Sequence, residues 1–435
     1  MQTTRDYNTI NAESSSSSLF DVSSQREIRE AYIANDNTQQ GTVVASDGIH
    51  GRSSGSGCCI IRLTGKDATS VRGLVDFADN FFEGVDSDDD VDDGDDDDTN
   101  NNGTANKAAR RLKDLGVFRI ANNVHAGFDH NVNKEGKMQV LYTKLIYPGQ
   151  SDDEDPLLLP LEVGDLVGTT SLSRAHSGMR TLFDIGSQIT SAVLGMDSES
   201  TNKLLDDCSR STTTTKHEMV PDNHEKIADS ISNSYQRIIR YLKPQPSSEQ
   251  EGDENDAAFW PHVDSTFLTL IPMPEIAGLE VWCPSSKYAN SDDLAKRGEW
   301  VRPIKPSARG ESDAAGKVGG GEAKNSDEDC IHVVALAGEF LQLLSDGQVP
   351  TCIHRVIAPK PPQPSAFGFA SSNKYKPRVS APLFLRPRRG EEAVLDIESD
   401  LRDSDNTGLY FEKGLLEECD EMRVWDYMDC MSPDN

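Results

Sequence analysis

Long apolar runs and basic side chains are both scarce in this chain of 435 residues. No run of eighteen apolar residues occurs, so we expect no membrane-spanning helix and no membrane partner. Acidic residues outnumber Lys and Arg by 73 to 43, which gives a net charge of -30. Because phosphate contacts require clusters of Lys and Arg, this balance disfavours nucleic acid as a partner. Only 36% of residues are hydrophobic, which predicts that part of the length lies outside a packed core.

Cysteine pairs and an N-terminal targeting segment are also missing from the sequence. The eight cysteines are scattered and none forms a Cys-x-x-Cys pair, so a zinc site of that type is excluded. The first twenty residues are polar and rich in serine, without the apolar stretch of a secretory signal. We therefore expect reduced thiols and a cytoplasmic, monomeric protein.

Composition divides the chain into four regions. Residues 1–56, with a serine run and a Gly/Ser-rich end, are predicted to be disordered. An α/β region is predicted at 57–231, and it contains a solvated acidic insertion at 85–105. Short β-rich runs separated by turn residues begin at 232 and continue to 390, which is typical of an all-β core. Apolar residues at roughly helical spacing predict a C-terminal helical extension at 391–435.

Several elements can be assigned within the α/β region. The apolar run Cys58–Leu63 predicts a strand, and Asp67 is the expected N-cap of a helix whose apolar residues follow a 3.6-residue period. Strands are predicted at 116–120 and 138–142. Apolar spacing over 172–195 indicates a helix with one buried face.

The core region contains seven apolar runs with strand propensity. They cover 237–242, 266–271, 278–283, 299–303, 331–336, 352–357 and 379–385. Short strands at such spacing predict a sandwich or barrel. Three polar insertions, at 247–256, 306–329 and 360–376, are interpreted as loops of variable length on that scaffold.

The pattern His262-Val263-Asp264, followed much later by His354, carries the chemistry of this sequence. Residues two apart in a strand project to the same face, so one strand would supply an imidazole and a carboxylate. Two imidazoles and one carboxylate suit iron(II), and such a triad leaves the other positions on the metal open. Chance patterns of this kind are common, so the three residues alone are a weak signal.

A second pair follows at Arg378-Val379-Ser380. The Arg fork matches a carboxylate, and Ser adds a hydroxyl donor on the same face of a strand. The two side chains would bind the far end of a dicarboxylic acid. A surface Arg beside a strand-edge Ser is the alternative that this pair leaves open.

The blocks together, in their order along residues 237–390, resemble the isopenicillin N synthase-like iron(II)/2-oxoglutarate-dependent dioxygenases. The matching segments are Trp260 to Leu270, Gly278 to Val281, Trp300 to Pro303, Val333 to Leu344, Ser345 to Gly347, His354 to Val356 and Arg378 to Ser380. The resemblance implies a mainly β protein with flanking helices and a double-stranded β-helix core of the jelly-roll or cupin type.

The same resemblance assigns roles to individual residues. It implies His262, Asp264 and His354 as the ligands of Fe²⁺, and Arg378 and Ser380 as the binding site for the distal carboxylate of 2-oxoglutarate. Tyr241 falls near a family block that helps to hold this cosubstrate. In that block the usual Asn is replaced, and Lys243 stands where Pro is usual.

The implied activity is an oxidation by O₂ of a small organic molecule, as a hydroxylation or desaturation, with release of succinate and CO₂. An oxidase of the same fold that does not use 2-oxoglutarate is one alternative, with Arg-x-Ser holding a substrate carboxylate instead. A catalytically silent protein that binds partners through its acidic and Ser-rich insertions is another. The sequence does not identify the primary substrate, because lid and N-terminal segments select it.

Overall fold

The structure is a computed structural model. It describes residues 9–12, 57–86, 102–119, 125–130, 138–146, 157–197, 200–201, 204–205, 231–242, 257–284, 298–303, 330–345, 347–357, 376–387, 394–396 and 421–423. Apart from Lys376, the three polar insertions of the core lie outside these residues, and so does most of the acidic insertion. None of the helices in the ranges above combines the length and the apolar character needed to cross a membrane.

Strands dominate the described ranges. They are β1 (Thr9–Ala12), β2 (Cys58–Thr64), β3 (Val117–Arg119), β4 (His125–Asp129), β5 (Met138–Ile146), β6 (Leu157–Leu158), β7 (Ile231–Tyr241), β8 (Ala257–His262), β9 (Leu268–Pro272), β10 (Leu279–Pro284), β11 (Gly298–Val301), β12 (Cys330–Ala337), β13 (His354–Ile357), β14 (Arg378–Ser380), β15 (Leu383–Leu385), β16 (Val394–Asp396) and β17 (Glu421–Arg423). The helices are α1 (Gly65–Asp86), α2 (Asn102–Leu115), α3 (Leu161–Val167), α4 (Thr169–Leu194) and α5 (Glu339–Leu344).

Two sheets form the body of the molecule. The larger sheet has the strand order β1-β2-β12-β9-β15-β7-β5-β4-β3, with β14 also pairing with β7 and β6 with β5. The smaller sheet has the order β11-β10-β13-β8. Apart from the parallel β1–β2 pair, the pairings in both sheets are antiparallel.

Each central strand of the larger sheet buries both of its faces. On β7, Ile238 belongs to the core beneath helices α1 and α4, whereas Ile239 and Tyr241 belong to a second core that includes Val281 and Val356 of the smaller sheet. Successive side chains of a strand point to opposite faces, so this alternation separates an outer layer from the space between the sheets. The even positions of β7 therefore face the helices, and the odd positions face the smaller sheet.

Helices α1 and α4 pack against each other and cover the outer face of the larger sheet. Leu74, Phe77 and Phe81 of α1 are essentially fully buried, at the helical spacing that the sequence indicates. The helix begins at Gly65, so Asp67 lies in its first turn and is not the N-cap. Helix α4 begins three residues before the predicted start at 172.

Three features of the structure bear on the predicted division of the chain into regions. Strand β2 pairs with β12 and β5 pairs with β7, so strands from 57–231 belong to the same sheet as the core strands. Strand β1 lies within 1–56 and its backbone pairs with the edge of β2, whereas the rest of that region lies outside the described residues. In 391–435 the described residues form the β16–β17 pair and not a helix, while the rest of the predicted helix lies outside the described residues.

Candidate metal centre

Strand pairing brings the two histidines together. His262 ends β8 and is the register partner of His354, the first residue of β13. Their rings lie with centroids 4.2 Å apart. The sequence predicted that His262 and Asp264 share a strand. In the structure β8 ends at His262, and the chain turns before Asp264. The carbonyl of Asp264 accepts hydrogen bonds from the backbone N–H groups of Thr266 and Glu339, which fixes that turn.

The three side chains converge on one point. Nε2 of His262 lies 3.5 Å from Oδ1 of Asp264, and Nε2 of His354 lies 3.5 Å from Oδ2 of the same carboxylate. One ligand atom from each residue lies within 4.8 Å of the other two. The structure thus places all three predicted ligands in a single cluster, with donor spacings that a shared metal ion can span.

Backbone carbonyls orient both imidazoles toward that cluster. Nδ1 of His262 lies 2.8 Å from the carbonyl oxygen of Trp260, and Nδ1 of His354 lies 3.0 Å from that of Cys352. A carbonyl only accepts, so each Nδ1 carries the proton and each Nε2 keeps its lone pair free for a metal. Burial lowers the pKa of His354, which favours the neutral imidazole that a metal requires.

Asp264 is held in its ionised form. Burial alone would raise the pKa of this carboxyl, but His354 and His262 outweigh it, together with a hydrogen bond from Thr269. The hydroxyl of Thr269 donates to Oδ2 at 2.6 Å. The pKa of Asp264 therefore lies well below its usual range, and the triad presents one negative charge to a cation.

A close approach of two loops supports the Asp264 turn. Gly338 lies so near the turn that a Cβ there would fall 2.7 Å from the carbonyl oxygen of Asp264 and still closer to Thr266. Glu339 accepts a hydrogen bond of 2.7 Å from the hydroxyl of Ser265, and burial raises the pKa of this glutamate. Glycine is required at 338 because a side chain would push the turn away from the histidines.

Arg378 lies on the inner face of the larger sheet, where β14 pairs with β7. Its register partner is Tyr241, and its guanidinium carbon lies 4.8 Å from the centre of the Tyr241 ring. The Arg378 side chain is 1% exposed, and its Nε and Nη1 atoms have no hydrogen-bond partner among the described residues. Burial lowers the pKa of this arginine and raises that of Tyr241. Ser380, also buried, follows two residues later on the same face.

These orphaned donors fit a bound carboxylate. A buried N–H without a partner costs about 1–3 kcal/mol, so native structures rarely keep one unless something else satisfies it. Gly278 leaves the room that Arg378 occupies, because a Cβ at 278 would lie 2.9 Å from the Arg378 Cδ. The residues present therefore fit both groups that the sequence predicted, a divalent metal at the triad and a carboxylate at Arg378.

Sequence reasoning missed Thr269, Gly278 and Gly338 as parts of this site. Thr269 lies five residues after Asp264, and no periodicity links the two positions. The glycines stand in segments that match the family pattern, but their role is a close approach between distant parts of the chain. Only the pairing of the strands reveals it.

A solved structure of an oxygenase-family protein supports this architecture. No protein-family model and no curated protein matches the sequence. A 2OG-Fe(II) oxygenase family protein from Caulobacter crescentus has a similar structure, with a TM-score of 0.52 at 14% identity, covering 98% of both chains. The dioxygenase for auxin oxidation from rice has a TM-score of 0.44 at 15% identity, covering 98% of this chain and 94% of that one. The dioxygenase for auxin oxidation 1 from Arabidopsis thaliana, in a complex with 2-oxoglutarate, has a TM-score of 0.44 at 13% identity, covering 88% of this chain and 93% of that one.

The fold is therefore that of the 2-oxoglutarate–iron(II) oxygenases, mainly β with flanking helices around a jelly-roll core. The resemblance predicted from the sequence is confirmed at the level of the fold.

Proposed function

We propose that this protein is an iron(II)- and 2-oxoglutarate-dependent dioxygenase that hydroxylates or desaturates a small organic molecule. One observation carries the proposal: two imidazoles with free Nε2 atoms and an ionised carboxylate converge on one point, and a buried arginine with orphaned donors projects from the inner face of the larger sheet. The fold supports the same reaction class. The cytoplasmic location and the monomeric state remain predictions.

His262, Asp264 and His354 would hold Fe²⁺, and Arg378 with Ser380 would hold the distal carboxylate of 2-oxoglutarate. When bound, Fe²⁺ and 2-oxoglutarate would allow O₂ to act as the oxidant, with two electrons from 2-oxoglutarate, which becomes succinate and CO₂, and two from the substrate. The carbonyls of Trp260 and Cys352 hold the imidazole tautomers, so each Nε2 remains unprotonated. The phenol ring of Tyr241 stacks on Arg378 and holds its guanidinium in one orientation.

Burial strengthens the recognition of an acid at Arg378. The arginine and its neighbours Tyr241 and Ser380 are all less than 6% exposed, so water does not compete for the guanidinium. A charged hydrogen bond is stronger in such surroundings than at a surface. A cosubstrate carboxylate bound there would be fixed in orientation before the primary substrate enters.

The oxidase that does not use 2-oxoglutarate remains the second candidate. Its supporting observation is the same Arg378, whose orphaned donors would bind a carboxylate of the substrate equally well. The two candidates differ in whether 2-oxoglutarate itself binds to the protein.

An anaerobic titration tests the proposal directly. Adding 2-oxoglutarate to the Fe(II)-loaded protein should produce a visible absorption band, and the same titration on His262→Ala should produce none. Succinate formation that requires both O₂ and iron is the second measurement. A wild-type protein that retains iron but neither binds 2-oxoglutarate nor forms succinate would favour the oxidase.

A further inference from the structure

Two further arginines, Arg237 and Arg386, lie on the inner face of the larger sheet that also carries Arg378. Arg237 is at an odd position of β7, so it projects to the same side as Tyr241. Its register partner is Tyr142, which packs against the inner core. Arg386 lies just beyond β15, two residues after Phe384, which pairs with Tyr235 of β7.

The two guanidinium groups flank one aromatic pair. The rings of Tyr235 and Phe384 stack with centroids 4.7 Å apart and an interplanar angle of 14°. The guanidinium carbon of Arg237 lies 5.0 Å from the centre of each ring, and that of Arg386 lies 4.8 Å from the centre of the Tyr235 ring. These contacts fix both side chains in place without neutralising their charge.

Neither arginine has a carboxylate partner among the described residues. Nε of Arg237 and Nε of Arg386 are buried and have no hydrogen bond in the part of the chain that the structure describes. Arg302 and Arg355, in contrast, share Glu280 as an ion-pair partner. Arg237 and Arg386 thus differ from Arg302 and Arg355, because they bring positive charge and buried, unused Nε donors to the inner face.

Arg237 and Arg378 belong to different parts of the inner face. Arg237 and Tyr241, the partner of Arg378, are four residues apart on one strand, which corresponds to about 13 Å. Arg237 and Arg378 therefore project from separate backbone positions of the inner face.

Strand register connects the arginine pair to the triad. Thr269, which donates to Asp264, is the register partner of Phe384, and Phe384 is the partner of Tyr235. Two strand spacings amount to about 10 Å. Asp264 is also near enough to act with Tyr235 and Tyr142 on Arg237, whose pKa is raised although burial opposes it.

We propose that Arg237 and Arg386 form a second anion subsite that binds the acidic group of the primary substrate. The substrate is then a small organic acid whose apolar or aromatic body packs on Tyr142 and Phe384. The carbon to be oxidised would lie about 10 Å from the acidic group, according to the strand spacing. This inference rests on the proposed function, because it assumes that oxidation occurs at the triad.

Matched acids and amides test the subsite. The probes are octanoate, cinnamate and 4-phenylbutyrate, each compared with its carboxamide, plus octyl sulfate. Each is titrated calorimetrically, without oxygen, into the full-length protein loaded with Fe(II) and 2-oxoglutarate. We expect at least one acid to bind tenfold more tightly than its amide, because only the acid satisfies the guanidinium donors. Tighter binding of octyl sulfate than of octanoate would support the subsite and make a sulfate ester the acidic group.

Variants assign the preference to the arginines. Arg237→Met and Arg386→Met should each weaken binding of the acid by about 10- to 100-fold, the value of one charged hydrogen bond, and leave the amide unchanged. Arg302→Met removes the same charge elsewhere and should change neither. The proposal is overturned if no acid is preferred over its amide, or if the preference survives in both variants.

The same samples separate this inference from the proposed function. Both arginine variants should keep the absorption band that 2-oxoglutarate produces with Fe(II), since Arg378 is intact. If the wild type gives no band but still prefers acids through Arg237 and Arg386, the proposed function fails and the anion subsite stands. If the wild type gives a normal band but shows no preference for acids, the anion subsite fails and the proposed function stands.

Discussion

Replacing Arg378 with Met should make the ligand-free protein more stable and at the same time nearly abolish 2-oxoglutarate binding. The side chain is 1% exposed, and two of its nitrogens lack partners in the described structure. Each unsatisfied buried donor costs about 1–3 kcal/mol, whereas stacking on Tyr241 returns about 0.5–2 kcal/mol. Met fills much of the same space without these donors. We therefore expect the free energy of unfolding of the apoprotein to rise by up to about 5 kcal/mol.

Binding should change in the opposite direction. A carboxylate held by two charged hydrogen bonds gains about 3–6 kcal/mol from them, so the Kd for 2-oxoglutarate should rise by about 10²- to 10⁴-fold in Arg378→Met. Urea unfolding of the apoprotein measures the first effect. Anaerobic titration of the Fe(II) protein measures the second.

A neighbouring arginine provides the matched control. Arg240 is the register partner of Val379, next to Arg378, but it projects to the outer face and pairs with Asp86 and Gln139. Arg240→Met should destabilise the fold, because it removes satisfied contacts, and leave the affinity for 2-oxoglutarate unchanged. If Arg378→Met binds 2-oxoglutarate like the wild type, Arg378 does not hold the cosubstrate. If its apoprotein is less stable than the wild type, the buried donors of Arg378 are not unsatisfied.

Four further outcomes are expected. Asp264→Ala should leave almost no iron on the protein after dialysis, as metal analysis would measure. Thr269→Val keeps the shape but removes the 2.6 Å hydrogen bond to Asp264, so Fe(II) affinity should fall by about 10-fold or more. Gly338→Ala should cost about 1–3 kcal/mol in urea unfolding, because its Cβ collides with the Asp264 turn. Burial and then Arg180 lower the pKa of His176 from 6.5 to about 4, so stability present above pH 6.5 should be lost as pH falls toward 4.

The size of the His176 effect follows from its exposure. The side chain is only partly buried, so solvent screening reduces the expected loss to about 1 kcal/mol. His176→Gln should remove this part of the pH dependence when urea unfolding is repeated between pH 7 and pH 4. An unchanged pH profile in the variant would argue against His176 as the cause of this pH dependence.

Full iron occupancy in Asp264→Ala, or an unaltered Fe(II) Kd in Thr269→Val, would contradict the ligand assignment.

Much of the secondary structure could be predicted from local patterns. The period of 3.6 along α1 and α4 and the apolar runs of β2, β5, β7 and β12 correspond to elements of the structure within a few residues. Helix α5 and the short helix α3 were missed, because one or two turns do not produce a clear period. In 391–435, helical spacing predicted a helix where the described residues pair as strands, since a partner strand can override local preference.

The site shows the same division. The residue types His262, Asp264, His354, Arg378 and Ser380 could be selected from the sequence because their chemistry and order are recognisable. The spacing His-x-Asp predicted two ligands on one strand, yet the strand ends at the first of them. Backbone hydrogen bonds from elsewhere in the chain set that turn, and no local pattern records them.

The sequence by itself determined which side chains can bind a metal and an acid, and that they lie in β-rich segments, because side-chain chemistry and two-residue periodicity are local properties. Tertiary structure alone decided that His262 faces His354 across ninety residues of chain, since register is a long-range pairing of backbones. It also decided that Arg237 and Arg386 lie on the inner face without a carboxylate partner among the described residues, whereas Arg240 on the outer face pairs with Asp86. Burial and the choice of ion-pair partners depend on what the rest of the chain places around a side chain, so they exist only once the sheets have closed.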